Sequence, residues 1–197
     1  MSLDQVADII RGRHPVNSDR HGREVSNLAD AYSSLGRINL FDISEVLRMH
    51  SIVANGLVPD AGRFRSCGEG VFSGNECIFM APPPDMVPVD MNGLFDWLNS
   101  EKDVLHHLIL SSILHYEIVF IYPFSDCNGR IARLWQNALL RRWSPVFRSV
   151  SFEDGIMESR GDYYAAIDRS NAEGSSETFV EYVLQAILRV LTGIGDP

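Results

Sequence analysis

An all-α fold is what the apolar periodicity of this 197-residue chain predicts. Three observations carry that expectation. Apolar residues recur at three- and four-residue spacing through most of the chain, which is the signature of amphipathic helices. The stretch from Val104 to Phe120 is apolar nearly all round, as the buried central helix of a bundle should be. Only one segment, Glu69 to Ala81, has the punctuation of paired strands.

Taken in order, residues 1–20, with Gly12, Pro15 and Asn17, read as a loosely attached N-terminal segment, residues 21–192 as one domain, and residues 193–197 as a tail. Val25, Leu28, Ala29 and Tyr32 make a first helical stripe that should end at Gly36. Ile43, Val46, Leu47, His50 and Val53 make a second that should end at Gly56, both glycines standing at expected C-cap positions. Val71, Phe72, Ile78 and Phe79 flank Ser73-Gly74-Asn75, which suits a short β-hairpin. Pro82-Pro83-Pro84 then breaks the chain before a helix bearing Met91, Leu94, Phe95 and Leu98. After the central helix, another should run from about Asn128 to Trp143 and stop at Ser144-Pro145. A last helix, Ser176 to Leu191, puts Phe179, Val183, Ala186, Ile187 and Val190 on one side.

A content of 45% hydrophobic residues is ample for one sizeable core. The net charge of -9 argues against nucleic acid or a membrane surface as partner, because both demand a basic excess. Cys67, Cys77 and Cys127 are odd in number and lack paired metal spacing, so reduced thiols and a cytoplasmic setting are expected, with secretion as an effector left open. No apolar run approaches the length that spans a bilayer. His50, His106 and His107 have no second ligand at zinc-site spacing, and His115, placed within the central helix, reads as structural.

The chemistry concentrates in Ile121-Tyr122-Pro123-Phe124-Ser125-Asp126-Cys127-Asn128-Gly129-Arg130-Ile131-Ala132-Arg133. Backbone N–H groups around Asn128-Gly129 can open the following helix, and a helix N-terminus with two arginines in its first turns is a site for phosphate oxygens. Asp126 just before it can hold a divalent metal. Cys127 reads as a small space-filling residue, whose position by a helix N-terminus would favour the thiolate.

This segment resembles the signature loop of the Fic (Fido) family, whose pattern is His-Pro-Phe-x-Asp/Glu-Gly-Asn-Gly-Arg-x-x-Arg. The match holds at Pro123, Phe124, Asp126, Asn128, Gly129, Arg130 and Arg133, and departs at Tyr122, where the family has histidine, and at Cys127, where it has glycine. The flanks agree. Ala61-Gly62-Arg63-Phe64-Arg65 resembles the Gly-x-x-Arg stretch before the family's substrate-positioning hairpin, or flap, and a proline turn, a helix with Trp97-Leu98 and His115-Tyr116 follow in family order.

The resemblance implies a Fic-type helical bundle with a hairpin flap, and AMP transfer from ATP to a hydroxyl on a target protein. It implies that Asp126 binds Mg²⁺, that Cys127, Asn128 and Gly129 cradle the α- and β-phosphates, and that Arg130 and Arg133 take the outer ones. The flap, Ser73, Gly74, Asn75, Glu76, Cys77, Ile78 and Phe79, would align the target. Tyr122 falls where the family has its general base. A tyrosine with an ordinary pKa near 10 is deprotonated only about once in a thousand at neutral pH, so transfer should be attenuated or altered. Nearby Arg130 or Mg²⁺ would have to lower that pKa by several units to restore a base.

Many family members are restrained by a helix with the pattern Ser/Thr-x-x-x-Glu-Gly/Asn, whose glutamate pairs with the arginine at the position of Arg133. Ser66 to Gly70 and Ser170 to Gly174 are each one residue short of it, so a separate inhibitory protein is one expectation. Two other functions remain open: a non-catalytic protein-binding module on the same fold, and a transferase for a different phosphate-containing donor.

Overall fold

Helix α1 (Arg20–Ser34) runs into a 3-10 turn (Leu35–Arg37) and is followed by α2 (Ile43–Val53), β1 (Gly70–Ser73), β2 (Glu76–Met80), α3 (Val87–Glu101), α4 (His107–Ile121), α5 (Asn128–Trp143), a 3-10 turn (Pro145–Arg148), α6 (Arg160–Glu173) and α7 (Glu177–Thr192). The computed structural model describes residues 20–73, 76–149, 155–156 and 159–193, and of 71–73 and 76–78 the backbone alone. All but the last residue of the expected N-terminal segment, all but the first of the expected tail, and the Gly74-Asn75 turn therefore lie outside the described residues. The fold is an all-α bundle with one hairpin.

Helix α4 is the axis. Its Leu110, Leu114, Ile118 and Ile121 pack into a large core with Val46, Met49, Val53, Leu94, Phe95, Leu98, Ile131 and Trp135 from α2, α3 and α5. Its Tyr116 enters a second cluster with Tyr163, Ile167, Phe179 and Val183 from α6 and α7. Trp135 is fully buried and its indole N–H donates to the Leu40 carbonyl at 3.0 Å, which satisfies the one polar atom of the ring. A helix whose two faces meet two cores must be apolar nearly all round, which explains its sequence.

Helix ends follow local chemistry. Asp42 caps α2 by accepting from the Ser44 N–H at 2.8 Å, and α4 starts at His107 because the His106 ring accepts the Leu108 N–H. The expected start at Val104 is thus three residues early. Gly36 lies within the 3-10 turn and not at a left-handed cap, so the first stripe ends without the glycine signal. Helix α6 is absent from the sequence-based expectation, although Tyr163, Ala166, Ile167 and Ser170 repeat at helical spacing.

The hairpin is antiparallel, pairing Gly70 with Met80 and Ser73 with Glu76, with an irregularity between Val71 and Phe72. Its base is tied down by the Ala81 N–H donating to the Glu69 carbonyl at 3.1 Å. Among the described residues, no helix is long and apolar enough to cross a membrane.

Candidate active site

The loop between α4 and α5 is bracketed by two left-handed residues, Tyr122 at φ 52° and Cys127 at φ 68°. Neither is glycine, and L-residues reach this region at a cost of about 1–2 kcal/mol each. At Tyr122 the helix must stop because Pro123 follows, and its N–H still reaches the Ile118 carbonyl at 3.1 Å. At Cys127 the chain turns into α5 in the conformation that a glycine adopts freely, so the departure from the family pattern falls on a strained position.

Three side chains hold the loop in shape. Asn128, 3% exposed, accepts from the Phe124 N–H at 2.9 Å and donates to the Phe124 carbonyl at 2.8 Å, closing the loop on itself. Its amide thus latches the loop through its oxygen and one of its two N–H bonds. His50 is fully buried and stacked on Phe124, with ring centroids 3.7 Å apart. Its Nδ1 accepts from the Gly62 N–H at 3.0 Å, which leaves Nε2–H to donate to the Asp126 carbonyl at 3.2 Å. Burial lowers the His50 pKa and keeps it in this neutral form. Gly62 has φ +83°, and a Cβ there would come within 2.8 Å of the Ser51 Cβ, so only glycine fits.

Arg65 is the third. It is 3% exposed and its guanidinium donates to the carbonyls of Tyr122 and Pro82 at 2.6 Å and of Cys67 at 2.9 Å, while its N–H donates to Pro123. One cation thus joins the C-terminus of α4, where carbonyls are unpaired, to both ends of the hairpin region. The flap and the signature loop are tied together through it.

At the mouth of α5 the N–H groups of Asn128, Gly129 and Arg130 have no partner four residues back, as at any helix start. The Cys127 N–H, expected among the phosphate donors, instead donates to Asp126 Oδ1 at 2.6 Å. The other Asp126 oxygen accepts from Arg20 at 2.7 Å. Arg20 also donates to Glu24 at 3.2 Å, and Glu24 pairs with Arg130 at 3.1 Å. Although burial pushes the Glu24 carboxyl up, its bonds to Arg130, Arg20 and His21 outweigh it and hold the pKa below the usual range. Asp126 and Arg130, expected to converge on a ligand, are joined through the first turn of α1.

Arg133 lies beside Gly129, where an added Cβ would meet its guanidinium at 3.2 Å. Its positive charge also offsets part of the rise that burial gives the Tyr163 phenol pKa. The Tyr163 hydroxyl lies 3.0 Å from His115 Nε2, and His115 Nδ1 faces the Gln136 carbonyl oxygen at 2.5 Å. Nδ1–H therefore donates to Gln136 and Nε2 accepts from Tyr163. Complete burial drives the His115 pKa down to about 3, so this imidazole is a structural relay behind Arg133. Among the described residues Arg133 makes no ion pair.

Tyr122 is half-buried with its ring 6.5 Å from that of Phe79 on the flap. Burial raises the pKa of its phenol, and the nearby Asn128 amide offsets this only in part. Burial likewise raises the Cys127 thiol, against the thiolate character expected from its place at a helix N-terminus. The Cys127 sulfur accepts from Arg130 at 3.3 Å.

Arg20, Glu24, His50 and Tyr163 were missed from sequence. Arg20 and Glu24 stand four apart, a visible helix pair, but the contact of Arg20 with Asp126 spans 106 residues and leaves no local mark. His50 was read as part of an apolar stripe, where a lone histidine facing the core was the signal.

Fold and site together define a helical domain with a strained loop at a helix mouth beside a hairpin. Residues 40–140 match the Fic/DOC family model, and the chain belongs to that family. It is 33% identical over 153 residues to protein adenylyltransferase Fic of Nematostella vectensis, covering 76% of this chain and 33% of that protein. A crystal structure of a Fic family protein from Desulfovibrio desulfuricans superposes with a TM-score of 0.88 at 36% identity, over 98% of this chain and 59% of that one. Fic-1 of Caenorhabditis elegans superposes with a TM-score of 0.75 at 28% identity, over 98% and 58%. The chain spans about a third of the length of that Nematostella vectensis relative.

Proposed function

We propose that this chain binds ATP or a related nucleotide with Mg²⁺, and that its transfer of AMP to a protein hydroxyl is attenuated because Tyr122 stands where a general base is needed. The observation that carries the reading is the Tyr122 phenol, which burial keeps protonated. At neutral pH fewer than about one in a thousand such groups is ionised, and general-base catalysis is typically worth about 10²–10⁴ in rate. The resemblance to adenylyltransferases supplies the donor and acceptor classes.

Asp126 would supply the single protein carboxylate of a magnesium site, with phosphate oxygens completing it, an arrangement common for Mg²⁺. Bound there, the ion would neutralise phosphate charge. The N–H groups of Asn128, Gly129 and Arg130 would meet phosphate oxygens, with Arg130 and Arg133 as outer clamps and Tyr163 orienting Arg133. A target segment would add to the hairpin, Ser73 to Phe79, through main-chain hydrogen bonds that tolerate varied sequence.

A second reading is favoured by the ion pairs that occupy Asp126 and Arg130: a non-catalytic module that keeps the fold for partner recognition. A thermal-shift panel of ATP, other nucleoside triphosphates and phosphodiester donors, each with Mg²⁺, separates them. Stabilisation by ATP that Arg133→Ala abolishes supports the nucleotide reading; a shift only with another donor moves the assignment to it. No shift with any compound at millimolar concentration sinks nucleotide binding and leaves the module.

A further inference from the structure

The first turn of α1 has a residue whose chemistry duplicates the expected ligand of Asp126. We propose that Arg20 is an intramolecular competitor of the divalent cation at Asp126, so that metal enters the site only by displacing the Arg20 guanidinium. The inference rests on the reading of Asp126 as a cation ligand given above.

Three observations bear on it. Arg20 reaches the Asp126 oxygen that the loop leaves open, since Oδ1 is committed to the Cys127 N–H and Oδ2 is the atom Arg20 takes at 2.7 Å. A cation approaching Asp126 therefore meets an atom already facing a positive charge. Next, Arg20 is held at that spot by Glu24 at 3.2 Å, and Glu24 is itself anchored on Arg130 at 3.1 Å, so the guanidinium is part of a four-residue alternation of charge, Asp126, Arg20, Glu24, Arg130. Phosphates arriving at Arg130 and metal arriving at Asp126 would open the same set of pairs. Finally, α1 is secured elsewhere. Asn27 donates to the carbonyls of Val53 and Asn55 at 3.1 and 2.8 Å, and Arg23 to that of Gly56 at 3.0 Å. The Arg20 side chain, 56% exposed, can swing away while the helix stays docked on α2.

Partial exposure bounds the effect. Pairs of this kind contribute little, so removing Arg20 should tighten the cation by about two- to fivefold. The probe is Mn²⁺ alone, read by paramagnetic broadening of the Cys127 amide signal in ¹⁵N-labelled protein, for the full chain, Arg20→Met, Asp126→Asn and the double variant. The expected result is a half-broadening concentration about two- to fivefold lower in Arg20→Met than in wild type, with site-specific broadening lost in both Asp126→Asn backgrounds. An unchanged half-broadening concentration in Arg20→Met overturns the proposal, as does an Arg20→Met effect that persists without Asp126 or a Cys127 signal that Mn²⁺ broadens in neither protein. A parallel titration with ATP separates the two claims: absence of ATP binding with the Arg20 effect intact removes the nucleotide reading and leaves the competition standing.

Discussion

Replacing Asn128 with alanine should unlatch the signature loop, and the cost can be worked from two hydrogen bonds. The Asn128 amide satisfies both the N–H and the carbonyl of Phe124 at 2.9 and 2.8 Å, and Phe124 is fully buried under His50. Alanine leaves both backbone groups unpaired with no solvent at hand. A buried donor or acceptor so orphaned costs about 1–3 kcal/mol, giving about 2–6 kcal/mol for the pair. For a domain of this size each kcal/mol moves Tm by about 2–4 °C, so a fall of about 4–24 °C is expected. Urea denaturation gives the free energy, and hydrogen exchange at the Phe124 amide gives the site: protection there should drop with the bond. A loss below about 1 kcal/mol, or an undiminished Phe124 protection factor, would refute the claim that Asn128 is the latch.

Other consequences follow from the same contacts. Arg65→Ala should cost about 3–5 kcal/mol by urea denaturation, because the carbonyls of Tyr122, Pro82 and Cys67 lose a buried cationic donor, and Arg65→Lys should recover only part of it. His115 has a folded pKa of about 3 against about 6.5 unfolded, so the unfolded chain binds more protons between those values and stability falls as pH falls through that window. The slope is about 1.4 kcal/mol per pH unit, and the gap between wild type and His115→Gln should narrow by about 2 kcal/mol from pH 6.5 to 5. Parallel stability curves for the two proteins would contradict the neutral assignment of that imidazole.

The sequence was informative wherever a local signal dictated structure. The Asn128 to Trp143 span of α5 could be read because Ser144-Pro145 ends it and the apolar period is regular. The all-round apolarity of α4 marked its burial between two cores. Helix α6 was missed because Gly155 precedes it, Gly161 stands in its first turn and no side chain caps its start, which left a weak period to stand alone. Within the site, Tyr122 and Cys127 were identifiable as departures from a pattern. Their left-handed backbone, and the burial that raises both pKa values, depend on packing that no local spacing encodes. The contact of Arg20 with Asp126 and the influence of Arg133 on the Tyr163 phenol join residues remote in sequence, and only the fold brings them together.

Transfer of label from ATP carrying a radioactive α-phosphate onto the protein itself is the most direct test of the central claim, that the site can hold a nucleotide but lacks a base at Tyr122. Wild type, Tyr122→Phe and Tyr122→His are compared with Mg²⁺ at neutral pH. The account predicts near-background labelling by wild type, no change in Tyr122→Phe, and a gain of up to about 10²–10⁴-fold in Tyr122→His. Robust labelling by wild type that Tyr122→Phe abolishes would contradict it, because the phenol would then be acting as the base.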